Sequence, residues 1–392
     1  MTFGEKLRAL MAERGRSLRG LAKEIHYDPG YLSKVANDRK RPPPGMAERL
    51  DTALGAGGEL VALVPPTGVW SAPAGTADDF TPDDEERLIE AARRPSRVDT
   101  SIVEALAMVL DGQRRAEDAI GSMAMLDPVR AQLAVVENLL VEARGAARSG
   151  LVDVAAQWAQ FAGWLNANTG DAAGADRHYD RALQWASEAG RPDMVATALN
   201  MKGHVAWLRR EVGPMVGLSQ AAQRDRHVSD GVLALAVQQE ARGHALAGDG
   251  AQADRKLDEA LTLTVRAAER QEDQPPWIYF FSTDYLTLQR GLAYRYLGRY
   301  RAAAEWLMSG LDALPPESRS TEWTAWYVLQ LAAAHLAMGD VQQACATARE
   351  AAMVARLTHS EMLTGQLRAF HARLGKRATG QPDVAELGEL LR

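Results

Sequence analysis

The sequence predicts an all-α chain in which a compact N-terminal unit of five helices precedes a long run of helical hairpins. Two observations predict it. Near the N-terminus, apolar residues recur at helical spacing, with Leu18, Leu21, Ala22 and Ile25 at i, i+3, i+4 and i+7. Beyond residue 127, an apolar segment, a glycine-containing turn and an Ala-rich segment recur five times. The turns fall at Gly170-Asp171, Gly213-Pro214, Gly248-Asp249, Gly298-Arg299 and Gly339-Asp340.

Composition sets the frame for both parts. With 392 residues, 46% hydrophobic and 24% charged, the chain has the make-up of a globular protein of two or more folding units. Its one cysteine, Cys345, excludes an internal disulfide framework and a multi-cysteine zinc site, and inert burial is expected for it. No apolar run approaches a membrane span and the N-terminus lacks the apolar core of a signal peptide, so a cytoplasmic protein is expected. Residues 1–65 carry a net +3 in a chain of net -6, an excess too small to establish nucleic-acid binding alone.

Leu7, Leu10 and Met11 mark the first helix, and Ser17 is placed to cap the second, Leu18 to Ile25. After a short turn, His26 and Tyr27, Asp28 as N-cap and Pro29 as first helical residue start the third. Leu32 and Val35 bury one side of it, and Gly30, Ser33, Lys34 and Asn37 share the other. Met46, Leu50, Ala53 and Leu54 mark a fourth helix, and Leu60 to Val64 begin a fifth. Two helices joined by so tight a turn form a helix-turn-helix, whose second helix presents its exposed face to a DNA major groove.

With SLRGLAKEI, DPGYLSKV and NDRKRPP in this order, residues 3–64 resemble the phage-repressor or XRE family of DNA-binding domains. The resemblance implies that Pro29, Gly30, Ser33 and Lys34 face the bases, with Lys34 the best donor to guanine O6 or N7. It implies phosphate contacts from Arg19, Tyr31, Arg39, Lys40 and Arg41, and it places Asp28 at the start of the same surface. His26 departs from the glycine usual in that turn, and Pro29 and Gly30 read bases poorly, so recognition is expected to lean on DNA shape. The implied partner is a double-stranded operator.

Residues 65–80 read as a linker rich in Pro, Gly, Ala and Thr. Residues 81–126 read as bridging helices, the first capped by Thr81 with Pro82 and an acidic first turn, the second built on Ile102, Val103, Leu106, Val109 and Leu110. They either begin the C-terminal fold or pair two copies of the chain.

Residues 127–392 form the repeat region. With each turn glycine set as the fifteenth residue of a unit, the eighth residue is always small: Gly163, Ala206, Ala241, Gly291 and Ala332. The twentieth is Ala in four units and Leu218 in the second; the twenty-seventh is small in four and Asp225 in the second. The region resembles a tetratricopeptide (TPR) array, an α-solenoid of helical hairpins. The first helices of such an array line a concave surface. The positions facing it are Gln157, Gln160, Trp164, Asn200, His204, Trp207, Gln238, Gln239, Arg242, Tyr285, Gln289, Arg295, Trp326 and Gln330.

Amides between aromatic faces suit a peptide backbone or a small polar effector. Trp158, Trp164 and Trp185 also have a plain reading as core residues. The insertion at 271–285, QEDQPPWIYFFSTDY, is either a lid over the groove or a wedge between units. No metal-ligand pairing, phosphate loop or nucleophile arrangement argues for an enzyme or a cofactor. The whole resembles actinobacterial-type one-component regulators, which implies a homodimer sensing a peptide or small molecule. The other reading is a DNA-binding adaptor that recruits a protein partner without a small ligand.

Overall fold

The computed structural model describes residues 2–25, 27, 29–37, 42, 44–63, 82–93, 99–315, 318, 320–378 and 381–391. The expected linker 65–80, the Thr81 cap, and His26, Asp28, Arg39, Lys40 and Arg41 lie outside them. Among the described residues there are 19 α-helices and no strand. The chain divides into two compact units, Met1–Gly112 with Val141–Ala143, and Gln113–Leu140 with Arg144–Arg392.

In the first unit α1 (Phe3–Glu13), α2 (Leu18–Glu24), α3 (Pro29–Ala36) and α4 (Pro44–Leu54) enclose a core of Leu7, Leu10, Leu21, Ile25, Leu32, Val35, Leu50 and Leu54. Thr2 and Glu5 close a capping box on α1, and the Gly20 N–H donates to Ser17 Oγ (3.1 Å) at the start of α2. Where the fifth helix is expected to begin, from Leu60 to Val64, the described residues form a 3-10 turn, Val61–Leu63, and residues 64–81 lie outside them. The buried Asp51 explains the turn, since its carboxylate accepts the N–H groups of Gly58, Leu60 and Val61 and so turns the chain back onto α4. Burial alone would raise the Asp51 carboxyl, but these three bonds hold it below its usual range.

The helices α5 (Pro82–Arg93) and α6 (Thr100–Ile120) follow, and the division between the units falls inside α6. Ile102, Leu106, Val109 and Leu110 of α6 are buried, as their spacing predicts.

The second unit runs α7 (Ser122–Glu142), α8 (Gly145–Asn168), α9 (Ala172–Glu188), α10 (Pro192–Leu208), α11 (Val212–Ala222), α12 (Asp230–Leu246) and α13 (Gly250–Glu269). It continues with α14 (Thr283–Tyr296), α15 (Tyr300–Ala313), α16 (Glu322–Met338), α17 (Val341–Leu357), α18 (Glu361–Arg377) and α19 (Pro382–Leu390). Five hairpins, α8/α9 to α16/α17, form the TPR-like solenoid, and α18 seals its end by burying Leu363, Leu367, Phe370 and Leu374 against the α16/α17 alanines. Cys345 is fully buried in that layer.

Four of the five turns fall where expected, each with glycine at positive φ followed by the N-cap of the next helix. The second does not. Its left-handed residue is Arg210 (φ 62) with Glu211 as N-cap, while Gly213 and Pro214 sit inside the first turn of α11. Proline is tolerated there because the first-turn N–H groups have no intrahelical partner. The register therefore shifts by three residues, which makes Gly203 the small crossing residue and replaces Leu218 and Asp225 by the buried Met215 and Ala222.

The crossings are tight. A Cβ at Gly163 would stand 2.5 Å from Tyr179 Cε1, and one at Gly291 would stand 2.9 Å from the Leu307 backbone nitrogen. Gly291→Ala is thus expected to destabilise the chain by about 1–3 kcal/mol, the usual penalty of overpacking. Gly365→Ala, in the middle of α18 with open space around it, should instead stabilise by about 0.5–1 kcal/mol. Thermal denaturation of the two variants side by side checks the pair, and equal shifts would contradict the packing account.

Candidate functional site

Two surfaces carry the chemistry that the sequence points to. On α3, Pro29, Gly30 and Lys34 are exposed and Ser33 is half-buried, opposite the core residues Leu32 and Val35. Asn37 donates to the Ser33 carbonyl (2.7 Å) and closes the end of that helix. Arg19 is exposed on α2. Tyr31 is half-buried instead, its ring stacked on Tyr27 at 6.3 Å, and Arg49 lies over Tyr27 at 5.9 Å. Tyr31 therefore packs as much as it presents its hydroxyl.

In the second unit the inner helices enclose a cavity of about 440 Å³. Gln160, Trp164, Asn200, His204, Trp207, Gln238, Gln239, Arg242, Tyr285, Gln289 and Trp326 line it. Three expected residues do not. Gln157 is engaged with Asp153, the Arg295 guanidinium stacks on Tyr296 at 4.8 Å, and Gln330 turns its amide to the Trp326 carbonyl (3.3 Å). Trp158 and Trp185 are core residues, whereas Trp164 faces the cavity.

Register decides which lining residues the sequence missed. With Arg210 in the turn, Thr197 and Met201 occupy the inward positions of the second hairpin, and both line the cavity. Phe161 and Leu235 occupy inward positions of the first and third hairpins, Trp323 and Tyr327 lie beside those of the fifth, and the four complete the apolar wall. The insertion acts as wedge and wall together. Ile278 is buried with Ala196, Val228 and Val232, in space that Gly231 leaves open, while Tyr279 and Phe280 face the cavity. Trp277 Nε1 donates to Thr197 Oγ1 (3.0 Å), and the Tyr279 hydroxyl donates to Asp118 Oδ2 (2.5 Å).

No repeat position foretold how the cavity closes. The turn between α6 and α7 meets the start of α16: Gly121 (φ 86) has no room for a side chain beside Glu322 Oε2, and the Ser122 N–H donates to the Glu322 carboxylate. Residues far apart in sequence thereby ring one space.

The floor is a polar network. Gln238 Nε2 donates to Gln289 Oε1 (2.8 Å), Gln289 donates to the Tyr327 hydroxyl, and Gln239 Nε2 donates to the Asn200 carbonyl (2.5 Å). Arg242, only 5% exposed, donates through Nη2 to Gln239 Oε1 (2.7 Å), lies 3.5 Å from His204 Nδ1 and stacks on Trp207 at 4.4 Å. Burial, and secondarily the Arg242 charge, push the His204 imidazole down to about 3, so the ring is neutral and can accept. Arg242 Nε and Asn200 Oδ1 have no hydrogen-bond partner, and among the described residues no carboxylate lies within 4.0 Å of the guanidinium.

The opposite wall is acidic. Glu117 Oε1 accepts from Ser122 Oγ and from Trp164 Nε1 (3.3 Å), and Glu322 Oε1 accepts from Ser360 Oγ. Burial foremost, with the charges of Asp118 and Glu322, pushes the Glu117 carboxyl up to about 7. Burial also raises Glu322 and Asp118. Among the described residues no group of three or more His, Cys, Asp or Glu is placed to hold a metal ion. Among them, no helix is long and apolar enough to cross a membrane.

Residues 2–64 match the family model of a helix-turn-helix domain. No curated protein matches the chain. Among solved structures, a Rap protein complexed with competence and sporulation factor is similar over 96% of this chain and 87% of that one, with a TM-score of 0.51 at 12% identity. BtubC from P. vanneervenii is similar over 59% of this chain and 92% of that one, with a TM-score of 0.42 at 17% identity. A tetratricopeptide repeat protein from Parabacteroides merdae is similar over 71% and 99% respectively, with a TM-score of 0.36 at 12% identity. The chain is an all-α protein with an N-terminal helix-turn-helix domain and a TPR-like repeat domain.

Proposed function

We propose that the chain is a sequence-specific transcription regulator whose repeat domain binds a small-molecule or short-peptide signal inside the cavity. The observation that carries this is the buried Arg242, which has no carboxylate beside it and no hydrogen-bond partner for its Nε, next to Asn200, whose Oδ1 is also without one; both residues line an aromatic-walled space of ligand size. A buried charge left without a partner is costly, and a ligand that supplies the partner removes the cost. The closure of the wall by the α6/α7 turn favours such a sensor over an adaptor, which needs an open track for a protein. The helix-turn-helix domain is the DNA-binding end, with the α3 face of Gly30, Ser33 and Lys34 in the major groove. A homodimer would set two heads on half-sites about 10 base pairs apart or a multiple of that. Ligand changes DNA affinity only through its preference for one geometry of the dimer.

Selection of binding sites from random DNA with the full chain, followed by light scattering and footprinting, tests the reading. A spaced pair of half-sites bound by a dimer is expected, and failure to enrich any sequence would sink it. On the selected site, Lys34→Ala is expected to weaken binding by about 1–3 kcal/mol and to relax base preference at one position. A loss uniform across sequences would instead make Lys34 a phosphate contact.

A further inference from the structure

The cavity separates charge. At one wall Glu117 of α6 and Glu322 of α16 face the same space, with Arg114 lining it one turn back on α6, and every hydrogen bond the two carboxylates accept comes from a neutral donor: Ser122, Trp164 and Ser360. Among the described residues no lysine or arginine nitrogen lies within 4.0 Å of either carboxylate. On the floor stands the opposite case, the Arg242 guanidinium without an anion and the Asn200 oxygen without a donor, at 5% and 2% exposure. One indole and one imidazole separate the two ends. Trp164 Nε1 is 3.3 Å from Glu117, its ring is 5.8 Å from that of His204, and His204 Nδ1 is 3.5 Å from Arg242. Apolar faces thus lie between two charged ends of opposite sign.

We infer that the ligand is dipolar, with a protonated amine seated between Glu117 and Glu322, a carboxylate on Arg242, and an apolar or aromatic body against Trp164 and Trp207. This rests on the reading of the cavity as the sensor site. An amine fits the acidic wall better than a metal ion, because the carboxylates are not grouped for coordination. A carboxylate fits Arg242 because a planar guanidinium with a free Nε–H pairs with it through two parallel bonds. The Asn200 oxygen accepts a further N–H from the ligand body. An amine seated between α6 and α16 would add an ionic bridge to the Ser122–Glu322 contact that already joins the two segments.

The chemistry is shared by free amino acids and short peptides. The test offers the full chain two sets of probes, the uncharged-side-chain amino acids and random tripeptides of those residues. Each set is supplied with free ends, N-acetylated and C-amidated, and retention is read by affinity-selection mass spectrometry. Free-ended members of one set are expected to be retained at least about tenfold over both blocked forms, and the set retained names the source. The E117Q/E322Q pair should abolish discrimination against the acetylated form only, and R242Q against the amidated form only. The Glu→Gln changes are near-isosteric and R242Q keeps a polar amide in place of the guanidinium, and binding of the selected DNA verifies that each variant is folded. Equal retention of blocked and free forms overturns the dipolar ligand and leaves the cavity reading standing. Retention of nothing by a chain that still binds its DNA overturns both.

Discussion

Replacing Glu240 with alanine is expected to lower the melting temperature of the chain by about 6–12 °C, the equivalent of roughly 3 kcal/mol. The carboxylate is 3% exposed and takes three donors from two neighbouring helices, Gln220 (2.9 Å) and Gln223 (2.8 Å) of the α11 end and Lys256 (3.2 Å) of α13, with His244 Nε2 3.5 Å away one turn along α12. It ties α11, which has only 11 residues, to α12 and α13. Without it, two amides lose their acceptor and Lys256 keeps only Glu259 (3.0 Å). Burial would raise the Glu240 carboxyl, but the Gln220, Gln223 and Lys256 bonds outweigh it and hold it below its usual range. Its contribution is therefore present above the unfolded-state value near 4.5 and is lost as pH falls through the lower folded-state value. The stability difference between the wild type and E240A should therefore narrow as pH falls through that range, because the variant has already lost this contribution. Gln239 and Arg242 occupy the opposite face of the same helical turn, so a loosened α12 also loosens the cavity floor. A melting temperature within 1–2 °C of the wild type, an effect below about 1 kcal/mol, would show that the site collapses without loss.

How much of this was legible in the sequence depends on how local its cause is. The helix-turn-helix head is written in short-range terms: the Ser17 cap, the spacing of Leu18, Leu21 and Ala22, and the buried pair Leu32 and Val35 all lie within a few residues of one another. The 3-10 turn at Val61–Leu63 depends on Asp51 reaching forward to Gly58, Leu60 and Val61, a contact that apolar periodicity does not register. In the solenoid, a glycine marks a hairpin turn because it takes positive φ without strain, and that rule located four turns. It failed at the second because Arg210 accepts the left-handed conformation itself and Gly213 is an ordinary helical residue. The same three-residue error left out Thr197 and Met201. The acidic wall was illegible for a different reason. Glu117 and Glu322 are brought together where the α6/α7 turn meets the start of α16, a contact that no single repeat encodes.

That wall yields the second large effect. Between pH 5.5 and pH 8 the affinity for an amine-bearing ligand is expected to rise about thirtyfold, because Glu117 must be ionised to pair with the amine and its carboxyl in the empty cavity lies at about 7. The groups facing it are few. Asp118 shares its helix and is held by Tyr279, Glu322 stands across on α16 beside Ser360, and Ser122 and Trp164 donate to Glu117 directly. Arg114, one turn back on α6, also lines the cavity. His204 stays neutral throughout this interval, so the floor contributes no titration of its own. The ligand-free chain should respond in the opposite sense. A carboxyl whose folded-state value is raised binds its proton in the folded chain at pH values where the unfolded chain has released it, so stability falls as pH rises from about 4.5 to about 7. E117Q, which can neither ionise nor pair with the amine, should flatten both profiles and bind the ligand weakly at every pH. Calorimetric titration of wild type and E117Q across the interval, with melting curves of the empty chains, reads both slopes. An affinity independent of pH in the wild type would mean that the amine is held elsewhere, and a stability that rises with pH would place the Glu117 carboxylate against a cation.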